Sequence, residues 1–230
     1  MNDLNLIGQN FKQIRQKIDL TARKVGRLAD DIEIVVVTKT VDIEAMKIVI
    51  KAGAKHLGEN KVQDAVKKQA RLDEEVNWHF IGHLQTNKVK HVIGKFQLIH
   101  SVDSIRLAQK IEQEAEKRGI IQKILLEVNV SGETSKYGFV PADLMPACEQ
   151  ISSLKHVRLE GLMTMAPFTD DRAVIRSCFQ SLASLRTTIN GQSIAGIQMP
   201  TLSMGMTNDY LIAVEQGATL VRIGSAIFHG

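Results

Sequence analysis

Lys39 stands at the end of EIVVVTKT (33–40), just beyond four consecutive apolar residues, Ile34 to Val37. A lysine whose stem is packed at a strand end and whose amine reaches a rim can attack a carbonyl and form a Schiff base. The alternative is an amine that merely snorkels to solvent. Late in the chain, LSMGMTND (202–209) and VRIGSAIF (221–228) each set Gly beside Ser or Thr. Small residues let backbone N–H groups approach an anion and hydroxyls add donors, although Gly205 and Gly224 could equally serve only tight turns. Two such loops and one strand-end lysine together suit a phosphorylated carbonyl compound. Arg222 lies between Val221 and Ile223, an apolar setting in which a guanidinium requires a specific hydrogen-bond partner or an ion pair, here with Asp209 or Glu59.

These residues need elements to carry them. Ile7, Phe11, Ile14 and Ile18 recur at helical spacing and predict an amphipathic helix within residues 1–30. From residue 33, strand-like runs alternate with helical stretches. The strands are expected at 33–39, 55–58, 77–82, 96–101, 123–130, 157–164, 201–205 and 220–224. Helices such as 42–51 and 104–118 fall between them, opened by Asp42 and Ser104 and followed by Gly53 and Gly119. Such alternation requires parallel strands with crossover helices, and eight repeats favour closure over an open sheet. The fold expected is α/β: one (β/α)8 TIM barrel over residues 1–230, with an extra N-terminal helix packed on it. An open doubly wound sheet is the competing architecture, but Thr-Lys-Thr follows the first strand where that fold has a glycine-rich turn. Reactive groups of a barrel project from the C-terminal strand ends. Here those ends carry Lys39, Glu59, Asn60, His83, Ser101, Asn129, Met163, Thr164, Ser203 to Gly205 and Arg222 to Ser225.

At 230 residues and 44% apolar, the chain suffices for one barrel-sized core. The net charge of +4 arises from 29 basic against 25 acidic residues with no basic run, which suits a small anion and gives no sign of nucleic-acid binding. Two cysteines, Cys148 and Cys178, stand in no metal-ligand spacing, so neither disulfides nor a metal are expected, and a cytoplasmic location fits. The polar first residues do not read as a signal peptide, and no apolar run is long enough for a membrane.

The segments VVVTKT (35–40), HLGENKVQD (56–64), WHFIGHLQTNK (78–88), SVDS (101–104), EVNVSGETSKYGF (127–139), GLMTMAP (161–167), LSMGMTNDY (202–210) and VRIGSAIF (221–228) cover nearly the whole chain. In these the sequence resembles the pyridoxal phosphate homeostasis proteins, also called proline synthetase co-transcribed homologues. The resemblance implies a fold type III barrel similar to the N-terminal domain of alanine racemase, with pyridoxal 5′-phosphate (PLP) held on Lys39 as an internal aldimine. It implies that Ser203, Gly224 and Ser225 hold the phosphate, and the late position of these two loops in the chain is read as placing them across the rim from Lys39. Arg222 would lie near the pyridine nitrogen, and Asn60, Met163 and Met204 would line the ring or its surroundings. His83, Asn129 and Lys136 match family motifs without an assigned role. The resemblance further implies a non-catalytic protein that buffers, carries or regulates the cofactor, affects amino-acid and keto-acid balance, and has PLP-requiring apoenzymes as candidate partners. The alternative is a PLP-dependent racemase or another weakly active enzyme of the fold. Neither Tyr137 nor Tyr210 is placed by motif to oppose the lysine as in a racemase. A monomer is expected.

Overall fold

A computed structural model describes residues 4–133, 136–192, 194 and 197–229. Eight parallel strands, paired in chain order, form a closed barrel: β1 Glu33–Val37, β2 His56–Glu59, β3 Asn77–Phe80, β4 Leu98–Val102, β5 Gln122–Glu127, β6 Val157–Met163, β7 Thr201–Ser203 and β8 Leu220–Ile223. All eight expected strands are present. Several end earlier than expected, β1 at Val37 and β7 at Ser203, because the following residues leave the ladder for the mouth.

Nine α-helices accompany them among the described residues: α1 Leu4–Lys24, α2 Ile43–Lys51, α3 Val62–Gln69, α4 Val89–Val92, α5 Ile105–Glu116, α6 Leu144–Ser152, α7 Arg172–Gly191, α8 Tyr210–Glu215 and α9 Ser225–Phe228. Their starts follow from the sequence. Asp42 accepts from Ala45 N, Ser104 from Leu107 N and Asp171 from Ala173 N, so each side chain satisfies a first-turn N–H. Gly53 follows α2 at φ +111°, a conformation that glycine adopts readily.

The main core lies between barrel and helices. A smaller cluster of Val35, Leu98, Leu125, Met163 and Leu220 fills the lumen. Ile7, Phe11, Ile14 and Ile18 of α1 are all buried in the main core, as their spacing predicts. Helix α1 packs on α2, α8 and α9, outside the line where β8 meets β1. Asn10 donates to Ile227 O, and Arg27 to Val214 O and Ala218 O. No described helix is long and apolar enough to cross a membrane.

Candidate functional site

Lys39 sits two residues past β1, in an exposed turn held from below. Thr38 donates through its hydroxyl to Glu59 Oε1 at 2.6 Å. Lys68 Nζ bonds both Thr38 O, at 2.5 Å, and Glu59 Oε1, at 2.7 Å. The preceding residue is thereby fixed while the Lys39 side chain stays at the rim.

Because β8 pairs directly with β1, Val36 opposite Ile223, the loop after β8 is the neighbour of Lys39. The expectation that the anion site lies across the rim is therefore corrected: closure puts last and first strands side by side. A Cβ on Gly224 would lie 3.0 Å from Val37 O and 3.1 Å from Val37 Cβ, so the absence of a side chain permits this approach. Ser225 Oγ then lies 2.9 Å from Thr207 Oγ1, which also faces Ala226 N at 3.5 Å. Thr207 is presented by a short turn in which Asp209 accepts from Met206 N at 2.5 Å and Tyr210 N donates to Met206 O at 2.9 Å. Burial raises the Asp209 carboxyl above its usual range, against that backbone bond and the Arg222 charge.

Lys39, Met206, Thr207, Asn208, Arg222, Gly224 and Ser225 all line one open cavity of about 780 Å³, walled further by Pro167 and Phe168. Arg222 is its buried floor, 5% exposed. Its Nη1 donates to Ser203 Oγ at 2.5 Å and its Nη2 to Thr164 O at 2.9 Å. It forms no ion pair with Glu59, which is taken by Lys68. Burial lowers the guanidinium to about 10, opposed by Asp209 and Glu127, so it stays charged at neutral pH. Glu127, closing β5, is pushed up to about 7 by burial and by Asp103, while Arg222 pulls it down.

Of the eight residues expected to hold a cofactor, four line the cavity: Lys39, Arg222, Gly224 and Ser225. The other four do not. Ser203 is fully buried with its hydroxyl taken by Arg222 and His100, so it braces the floor instead of facing the rim. Met163 fills the lumen. Met204, the next residue after inward Ser203, points the opposite way into the core outside the barrel. Asn60 follows β2, its backbone packed so closely on Gly82 that a Cβ there would meet Asn60 O at 2.2 Å.

Thr207 was not singled out by sequence. Its signal is a hydroxyl two residues after Gly205, already outside the strand. The three residues without an assigned role fall elsewhere. His83 stacks on Tyr137 at 4.0 Å, with Nδ1 3.4 Å from Asp103 Oδ2. Asn129 folds its own loop by donating to Glu133 O and accepting from Gly132 N. Lys136 pairs with Glu133 at 2.6 Å.

The chemistry of this donor set fits a phosphorylated aldehyde: one amine, two hydroxyls beside a backbone that no side chain covers, and a fixed cation beneath. Among the described residues no group of His, Cys, Asp or Glu could hold a metal ion.

A family profile described as "Alanine racemase, N-terminal domain" matches residues 3–230. A "Pyridoxal phosphate homeostasis protein" of Aquifex aeolicus is 39% identical over 221 residues, 96% of each chain. Among solved structures, PipY of Synechococcus elongatus with PLP bound superposes with a TM-score of 0.85 at 31% identity, covering 96% of this chain and 99% of that one. An alanine racemase of Clostridium difficile shares the fold at 14% identity and TM-score 0.78, this chain matching 56% of its length.

Proposed function

The chain belongs to the alanine racemase N-terminal domain family, among the pyridoxal phosphate homeostasis proteins, and on that premise we propose that it binds PLP in the Lys39 cavity as a homeostatic carrier. The observation that carries this reading is the convergence of Lys39 with Thr207, Gly224 and Ser225 at adjoining strand ends around one cavity. Lys39 is the covalent anchor. Thr207 and Ser225 hydroxyls, with the uncovered backbone at Gly224, take the phosphate. Arg222 faces the pyridine nitrogen. Asn60, Met163, Ser203 and Met204 act from behind this layer, by shaping and bracing it.

Bound PLP supplies an electrophilic carbonyl and an electron-accepting ring. A guanidinium under the ring nitrogen disfavours its protonation and so weakens that electron sink, which agrees with storage or delivery better than with turnover. The protein thus buffers or hands on the cofactor, to PLP-requiring apoenzymes among others, and thereby affects amino-acid and keto-acid balance. It acts as a monomer.

Lys39→Ala tests the anchor. Wild-type protein saturated with PLP is expected to show a visible band that borohydride removes and fixes as a stable adduct. The variant is expected to show neither. A variant that keeps both would overturn the assignment. Racemisation assays over a panel of amino acids test the carrier role, and turnover near about 1 per second or above would replace it with an enzyme.

A further inference from the structure

The lumen holds a run of polar side chains beneath the cavity. His56 Nδ1 lies 2.9 Å from His79 Nε2, His79 Nδ1 2.8 Å from His100 Nε2, and His100 Nδ1 2.9 Å from Ser203 Oγ. Ser203 Oγ in turn accepts from Arg222 at 2.5 Å. The run starts at the foot of β2, where His56 is half-buried, and climbs two residues per strand, since Gly58 pairs with His79 and His79 with Leu98. It then crosses the lumen to β7 and stops at Arg222. The rings join end to end and do not converge as metal ligands would.

Few arrangements of hydrogens satisfy every contact. Arg222 only donates, so Ser203 Oγ accepts there. A buried hydroxyl hydrogen needs an acceptor, and His100 Nδ1 is the one in reach among the described contacts. His100 must then carry its hydrogen on Nε2 and donate to His79. His79 likewise donates from Nε2 to His56 Nδ1, leaving the His56 Nε2 hydrogen pointing outward. All three rings are neutral and share one tautomer. Their surroundings agree: His79 is 2% exposed and His100 and Ser203 fully buried. Burial depresses His79 to about 3, helped by His56, and holds His100 well below the usual imidazole range, helped by His79 and Arg222.

We infer that Ser203, His100, His79 and His56 form a neutral, one-directional column that positions Arg222 in the cavity floor and couples it to protonation of His56 at the opposite end of the barrel. The groups facing His56 are Glu33 of β1, Lys55 ahead of β2 and His79 of β3. A proton gained by His56 sits on Nδ1, against the Nε2 hydrogen of His79. The conflict is relieved when each shared hydrogen in the column sits on its other partner. The column then holds one hydrogen more, and Ser203 receives from both Arg222 and His100. Its own hydrogen loses its acceptor beside the guanidinium. Acidification at one end is thus felt at the other with no movement of the backbone. The column stands without a ligand; its consequence for PLP rests on the proposed function.

Nitrogen-resolved NMR of the ligand-free protein over a pH series tests this. Near neutrality His79 and His100 are expected as Nε2–H tautomers. As His56 titrates, the ring nitrogens of His100 and the side-chain N–H signals of Arg222 are expected to shift with the His56 midpoint. His56→Gln offers an acceptor that does not titrate, so both shifts are expected to vanish in it while the neutral-pH spectrum is kept. His56→Phe, with no acceptor, should show the disturbed Arg222 signals at every pH. His100 or Arg222 signals indifferent to His56, or a shift that survives His56→Gln, would overturn the column whatever binds above it. A coupled column in a protein that forms no visible band with PLP would count against the proposed function alone.

Discussion

Glu127 closes β5 with its side chain 5% exposed, and its carboxyl is pushed from 4.5 up to about 7 by burial, then by Asp103, against the pull of Arg222. Between those two values the folded chain binds a proton that the unfolded chain has lost. Stability is therefore expected to fall as pH rises through this window, by an amount on the order of 3 kcal/mol. Glu127→Gln stays neutral throughout. It should stabilise the protein by about 1–3 kcal/mol at about pH 8 and change little at about pH 4, as read by urea titration at each pH. An equal change at both would mean that the carboxyl is not held neutral. Thr207→Val keeps shape but removes the hydroxyl that Ser225 meets. It is expected to weaken PLP retention about tenfold in equilibrium dialysis while leaving the visible band at saturation. The position of Lys39 at the mouth was legible because it stands just past an apolar run that forms β1. Ser203 and Met204 lie below the cavity because β7 ends at Ser203, two residues short of the expected 201–205. Ser203 then faces the lumen, Met204 the outer core, and the rim passes to Met206 and Thr207.

At the scale of the element, β6 shows what alternation conceals. Its residues alternate in burial from Val157 to Glu160, then run buried from Gly161 to Met163. The register with β5 slips where this change occurs, Ile124 opposite Leu159 but Leu125 opposite Gly161. Gly161 stands at the slip and lies so close to β7 on its other side that a Cβ there would be 1.9 Å from Thr201 O. The obstacle is backbone of β7, which cannot swing aside as a side chain would. Gly161→Ala is expected to cost at least about 3 kcal/mol, or to prevent folding, in urea unfolding followed by circular dichroism. A loss below about 1 kcal/mol would show that β6 and β7 separate easily. The strands and their order could be read from runs of Val, Ile and Leu between helical stretches. The slip had only a glycine at the break in pattern as its signal.

For the whole molecule, the decisive relation is between parts far apart in sequence. Adjacency of β1 and β8 follows from closure, and closure brings Lys39 beside Gly224. Counting eight βα repeats was enough to infer a closed barrel, but the angular position of each loop emerged only once the ring was drawn. Helix α1 belongs to the same core as the barrel, and Ile18 is fully buried in it. Ile18→Ala is expected to cost about 2–5 kcal/mol while the protein still melts in a single transition. Two transitions would show that α1 unfolds on its own.

The same seam sets a timetable during synthesis. Until β8 has left the ribosome, β1 and β7 both present unpaired edges, and the greasy stripe of α1 can lie on α2 and α8 but not yet on α9. The chain must thus be translated through β8 before α1 is covered on every side, and a nascent chain stalled short of that point is the form most open to aggregation or to a chaperone.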